Sequence, residues 1–120
     1  MPKKILVVDD DQVTLEALNR VLATAGYAVL TASRGEDALR LAREENPDVV
    51  ILDILMPDMD GGDVASALRS EPILETVPII FLSSLITKKE EQSSDRKDSI
   101  SFVSKPYDRK DLLKRIEDLL

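Results

Sequence analysis

Ile5-Leu6-Val7-Val8-Asp9-Asp10-Asp11 places four consecutive apolar residues directly ahead of three carboxylates. A short aliphatic run without polar alternation is the pattern of a strand buried on both faces, as in a parallel sheet covered by helices on either side. In open sheets of that kind, ligands bind outside the carboxyl ends of the strands. The pattern recurs along the chain. Val49–Leu52 runs into Asp53, Ile79–Leu82 runs into Ser83 and Ser84, and the short stretch Phe102–Ser104 runs into Lys105. Carboxylates, a hydroxyl and an ammonium therefore gather on one rim, a set suited to a magnesium ion and a phosphoryl group.

Between these strands the apolar spacing turns helical. Val13, Leu15, Leu18, Val21 and Leu22 recur at helical intervals up to Gly26, a stop signal. Tyr27–Ala32 reads as a further strand, less apolar and hence nearer a sheet edge. Arg34-Gly35-Glu36 opens a helix carrying Ala38, Leu39, Leu41 and Ala42, which Asn46-Pro47 closes. Met56 to Gly62 reads as a loop, followed by a short helix with Val64, Ala65, Ala67 and Leu68, and Pro72 to Pro78 as a connector. Asp108–Leu120 forms a last helix with Leu112, Leu113, Ile116, Leu119 and Leu120 inward. Strands alternating with helices predict a parallel sheet with right-handed crossovers. One stretch departs from this rhythm. Thr87–Asp98 contains no apolar residue and cannot bury a helical stripe. It reads as a solvated helix, a short helical turn or a mobile loop.

At 120 residues the chain reads as one domain, 1–120, with a real core that aliphatic side chains must fill, because only 3% of residues are aromatic. A formal net charge of −7 argues against nucleic-acid or anionic-membrane binding by this domain alone. The absence of Cys removes disulfides, thiolate metal sites and thiol nucleophiles. The absence of His removes the commonest general base, so any phosphohistidine must reside on another protein. No apolar run approaches membrane-spanning length, and a cytoplasmic setting is expected.

Taken together, Ile5 to Asp10, Leu52-Asp53 with Met56-Pro57 and Met59-Asp60-Gly61, Ser83, and Lys105-Pro106 resemble the receiver domain of bacterial two-component response regulators. Each piece alone is weak; in order and at this spacing, over nearly the whole chain, the set is specific. The resemblance implies a flavodoxin-like α/β fold, a doubly wound five-stranded parallel sheet of order 2-1-3-4-5. It implies that Asp53 is the phosphoacceptor, accepting from a sensor histidine kinase or a histidine phosphotransfer protein and signalling to a downstream output domain or protein. Asp9, Asp10, Asp53 and the backbone carbonyl of Leu55 would hold Mg²⁺, Asp9 through water, while Lys105 and Ser83 would meet phosphoryl oxygens. Ser83 and the Phe102 ring would form the switch. The resemblance also places an amphipathic helix where Thr87–Asp98 stands. That helix is expected to be short, displaced or partly disordered, with partner contacts resting on the first and last helices. Leu55 and Leu85 flank the family's hydrolytic water and offer it no polar group, which implies slow loss of phosphate.

The residues also admit blander readings. Asp9–Asp11 can cap a helix, and Asp11 reads as the cap. Asp53 can be a turn residue, Lys105 a solvated surface residue, and Ser84 can stand in for Ser83. Two other functions fit parts of the pattern. Asp9-x-Asp11-x-Val13 after an apolar strand fits a haloacid-dehalogenase-type phosphohydrolase with Asp9 as nucleophile. Against it stand the short chain, the absence of a strand with an acidic pair after Lys105, and an unexplained Asp53. A pseudo-receiver acting only as a docking module shares the fold, and the intact acidic set argues against it.

Overall fold

The computed structural model describes residues 2–53, 61–83, 100–105 and 107–120. Five parallel strands form one sheet in the order β2-β1-β3-β4-β5: β1 (Lys4–Val8), β2 (Ala28–Ala32), β3 (Val49–Leu52), β4 (Ile79–Ser83) and β5 (Ile100–Ser104). Four helices lie among the described residues: α1 (Gln12–Thr24), α2 (Gly35–Glu45), α3 (Gly61–Arg69) and α4 (Arg109–Leu119). The strand order and the doubly wound α/β architecture agree with the expectation. Leu55, Met56 to Asp60, Ser84, Leu85, Thr87–Asp98 and Pro106, on which several expectations rest, lie outside the described residues.

Each central strand sends alternate side chains to opposite faces, and both faces are dry. Ile5 and Val7 of β1, Val49 and Ile51 of β3, Ile80 and Leu82 of β4 and Val103 of β5 pack with Leu15, Leu18 and Leu22 of α1 and Leu112 and Ile116 of α4. The intervening Leu6, Val8, Val50, Leu52, Ile79 and Phe81 pack instead with Ala38 and Ala42 of α2 and Val64, Ala65 and Leu68 of α3. This is why the strands read as continuous apolar runs, since a period of two is hidden when both faces need apolar residues. β2 has one neighbour only, and three of its five residues are half-buried, as its weaker hydrophobicity implied.

Local signals end the helices where the chain must turn back. The Asp11 carboxylate accepts from the Val13 amide at 3.0 Å and from the Thr14 hydroxyl at 3.0 Å, capping α1. Gly26 takes φ of +99° after α1, a conformation with little cost for glycine. Asn46 ends α2 in the left-handed region at φ of 48°. Asp108 caps α4, accepting from the amides of Lys110 and Asp111. The turn after α3 is pinned by Arg69, whose guanidinium donates to the carbonyls of Leu74 and Val77 at 3.3 and 2.8 Å, and this holds both side chains in the core.

The inward assignment of Leu120 is corrected, and Val13, which belongs to the helical pattern of α1, also faces solvent. Val13 is 73% exposed and Leu120 43% exposed. Val13 lies in the first turn of α1 and Leu120 caps the end of α4. Helical spacing alone does not register those ends.

Candidate functional site

The strand register builds the site before any side chain is considered. Val8 pairs with Leu52 across the β1–β3 ladder, so the next residues, Asp9 and Asp53, emerge side by side. The hydrogen bonding extends into them: the Asp53 amide donates to the Val8 carbonyl at 2.9 Å, and the Asp9 amide to the Ala32 carbonyl at 3.1 Å. Two residues far apart in sequence are thus fixed by the same backbone pairing that fixes the core.

Asp9 is the buried acid of the set, its side chain only 4% exposed. Burying a carboxylate is costly without partners, and both of its oxygens have one. Oδ1 accepts from the Asp11 amide at 2.9 Å, and Oδ2 lies 2.9 Å from the Lys105 ammonium. Lys105, carried just past β5, also approaches Asp53 Oδ2 at 4.0 Å. Asp10 is exposed beside them. Asp9, Asp10 and Asp53 each offer an oxygen, and the three atoms lie within 4.8 Å of one another. In their ionised forms three carboxylates face one ammonium, leaving two negative charges that one divalent cation would balance. Oxygen-only donors at this spacing fit a hard cation such as Mg²⁺, which takes about six oxygens and retains waters among them.

The structure therefore brings together Asp9, Asp10, Asp53 and Lys105. Ser83 ends β4, its backbone in register with Ser104, so it reaches the same rim; its side chain lies outside the described set, as does the Leu55 carbonyl. Phe102 sits on β5 below the rim, half-buried against the α2–α3 face. There it stacks on Phe81, with ring centroids 5.5 Å apart and planes 17° from parallel. This pairing was not anticipated. No residue pattern marks it, because the β4–β5 register that pairs Phe81 with Phe102 is set by the fold.

A doubly wound parallel sheet of order 2-1-3-4-5, with carboxylates at the ends of β1 and β3 and a lysine after β5, defines an α/β domain of the flavodoxin-like class. Residues 5–117 match the family described as response regulator receiver domain, and the chain belongs to that family. It is 38% identical over all 120 of its residues to the response regulator MprA of Mycolicibacterium vanbaalenii, covering 51% of that protein. It superposes on the chemotaxis protein CheY4 of Vibrio cholerae with a TM-score of 0.89 at 30% identity, each chain covered fully. It matches the response regulator TrrA of Thermotoga maritima, a structure in complex with Mg²⁺–BeF, with a TM-score of 0.83 at 33% identity, covering 98% of this chain and 99% of that one. The chain spans about half the length of the sequence relatives it matches. Family membership removes the haloacid-dehalogenase reading. Among the described residues no helix is long and apolar enough to cross a membrane.

Proposed function

We propose that this receiver domain accepts a phosphoryl group on Asp53 from a phosphohistidine on a sensor kinase or phosphotransfer protein, and passes the signal to an output domain or protein. The observation that carries this reading is the meeting of three carboxylates within 4.8 Å with the Lys105 ammonium 4.0 Å from Asp53 Oδ2. Of the two inner acids, Asp53 is better suited to attack. Both oxygens of Asp9 are engaged at 2.9 Å, and its side chain is 4% exposed against 12% for Asp53.

In the transfer, an Asp53 oxygen forms a bond to phosphorus as the phosphorus–nitrogen bond breaks, and that electron pair returns to the donor imidazole. Asp9, Asp10 and Asp53 would hold Mg²⁺, which when bound neutralises charge on the phosphoryl oxygens. Lys105 stands ready as a fixed cation for one phosphoryl oxygen, and it needs to move little from its place between Asp9 and Asp53. Asp9, held by the Asp11 amide and Lys105, orients both the metal side and the lysine side of the site. Ser83 contributes a hydroxyl to a further oxygen, and Phe102 reports the change on β5.

Intact mass after incubation with acetyl phosphate and Mg²⁺ tests this. One phosphoryl adduct is expected, absent without Mg²⁺ and absent in Asp53→Asn. An adduct that survives Asp53→Asn and disappears in Asp9→Asn would move the nucleophile to Asp9. No adduct and no Mg²⁺ binding would leave a docking module.

A further inference from the structure

Lys105 reaches the carboxylates from the far side of the sheet. β5 is an edge strand, paired only with β4, and the acids it serves sit beyond β4, on β1 and β3. The placement of the ammonium, 2.9 Å from Asp9 and 4.0 Å from Asp53, therefore depends on how firmly β5 is held against β4. β5 is held by its ladder with β4, by Val103 in the core beside Leu112 and Ile116, and on the α2–α3 face by a ring contact. Ser101 and Ser104 are half-buried and polar, Val103 packs on the α1–α4 face, and Phe102 is the only apolar side chain of these residues on the α2–α3 face. Phe102 meets Phe81, its register partner on β4, in the one ring stack among the described residues. An offset stack of two flat rings resists sliding and tilting in a way that flexible aliphatic chains of similar size do not.

We infer that Phe81 is a positioning residue for phosphoryl transfer: through its stack on Phe102 it fixes the edge strand that presents Lys105 to Asp53. This rests on the receiver reading above. Phe81 touches neither metal nor phosphoryl group and acts through β5 alone. The metal carboxylates follow β1 and β3, so loosening β5 displaces the lysine while the backbone pairing that carries the acids, and the Asp11 amide that holds Asp9, stay in place. That separation makes the role measurable.

The experiment compares the native chain with Phe81→Leu, which keeps an apolar side chain and removes the ring. The rate of phosphoryl uptake at saturating acetyl phosphate and Mg²⁺ should fall about tenfold, a size typical of a small displacement of a reacting group. The Mg²⁺ concentration giving half-maximal uptake should not move, whereas general loosening of the fold would shift both. In a Lys105→Ala background, Phe81→Leu should cost nothing further. Phe102→Leu, at a half-buried site and so gentler on folding, should reproduce the loss, and the double variant Phe81→Leu/Phe102→Leu should be no slower than either single. A native-like rate in Phe81→Leu, or a full additional loss without Lys105, would overturn the role of Phe81. A native chain that takes up no phosphoryl group would overturn the receiver reading itself, and the inference with it.

Discussion

Asp9 shows how a single residue is made to serve structure and chemistry together. Its burial would be unfavourable without partners, yet a backbone amide and an ammonium meet its two oxygens, and each is itself part of the site. Tyr107, two residues past Lys105, is a titratable group whose surroundings set its behaviour. It packs partly against the α1–α4 face of the core. Burial pushes its phenol above the usual value of 10, and the nearby Lys105 ammonium offsets part of that rise. A raised value means the folded state prefers the neutral phenol. The resulting stability is complete below the unfolded value and is lost as pH rises through the higher folded one. The chain has two tyrosines and no tryptophan, so phenolate absorbance of the native chain minus that of Tyr107→Phe isolates the Tyr107 titration. Its midpoint is expected above 10; a midpoint at or below 10 contradicts the burial argument. At this scale the sequence was most open for Asp9, Asp10, Asp53 and Lys105, because they stand at successive strand ends in an ordered set, although each alone could be a cap, a turn or a surface residue. It was silent on the Phe81–Phe102 stack. In strands apolar on both sides, nothing in the residue pattern says which face a ring occupies.

At the scale of elements, the three consecutive aspartates divide their labour by direction. Asp9 continues β1 into the buried rim, Asp10 faces outward beside it, and Asp11 turns back to cap α1. Asp11→Ala should therefore cost about 1 kcal/mol of stability in urea unfolding, the ordinary worth of an N-cap side chain. Because the amide that supports Asp9 belongs to the backbone, phosphoryl uptake at saturating Mg²⁺ should stay near native. A collapse of uptake with unchanged stability would instead make Asp11 part of the site. Elements with their own punctuation were legible in detail. β3 spans Val49–Leu52 as read, and α2 ends at Asn46, where a residue before proline and a left-handed turn coincide. The ends of β4 and β5 were less so. β5 begins at Ile100 rather than Phe102, because pairing with Ile79 extends a strand that its serines alone would not declare. Propensity is local, and pairing partners are not.

For the whole molecule, the gathering of three carboxylates is a cost that the rest of the fold sustains and that a bound cation would relieve. Binding that favours the folded state over the unfolded one stabilises by mass action, about 2.7 kcal/mol at a hundredfold excess over the dissociation constant. For a domain of this size that corresponds to a rise in Tm of roughly 10 °C. Calorimetry in Mg²⁺ and in EDTA at matched ionic strength should show the rise. Asp10→Asn, by removing one like charge, should raise the metal-free Tm and abolish the Mg²⁺ increment. A Tm indifferent to Mg²⁺ would leave the acidic cluster without its cation. The alternation of strands and helices made a parallel α/β sheet readable from the residues alone. The order of the strands was not: it came from family resemblance, since crossovers that skip a neighbour leave no mark on local sequence.

The contact between Lys105 and Asp9 joins residues 96 positions apart. A chain emerging during synthesis displays its acids early and its lysine late, and the strand between β3 and β5 must be seated before the two can meet. A form in which β5 is not yet seated lacks the lysine of the site. Under the proposed function, competence to take up a phosphoryl group is thereby tied to completion of the fold, and a population containing misfolded copies would take it up only through the sound ones.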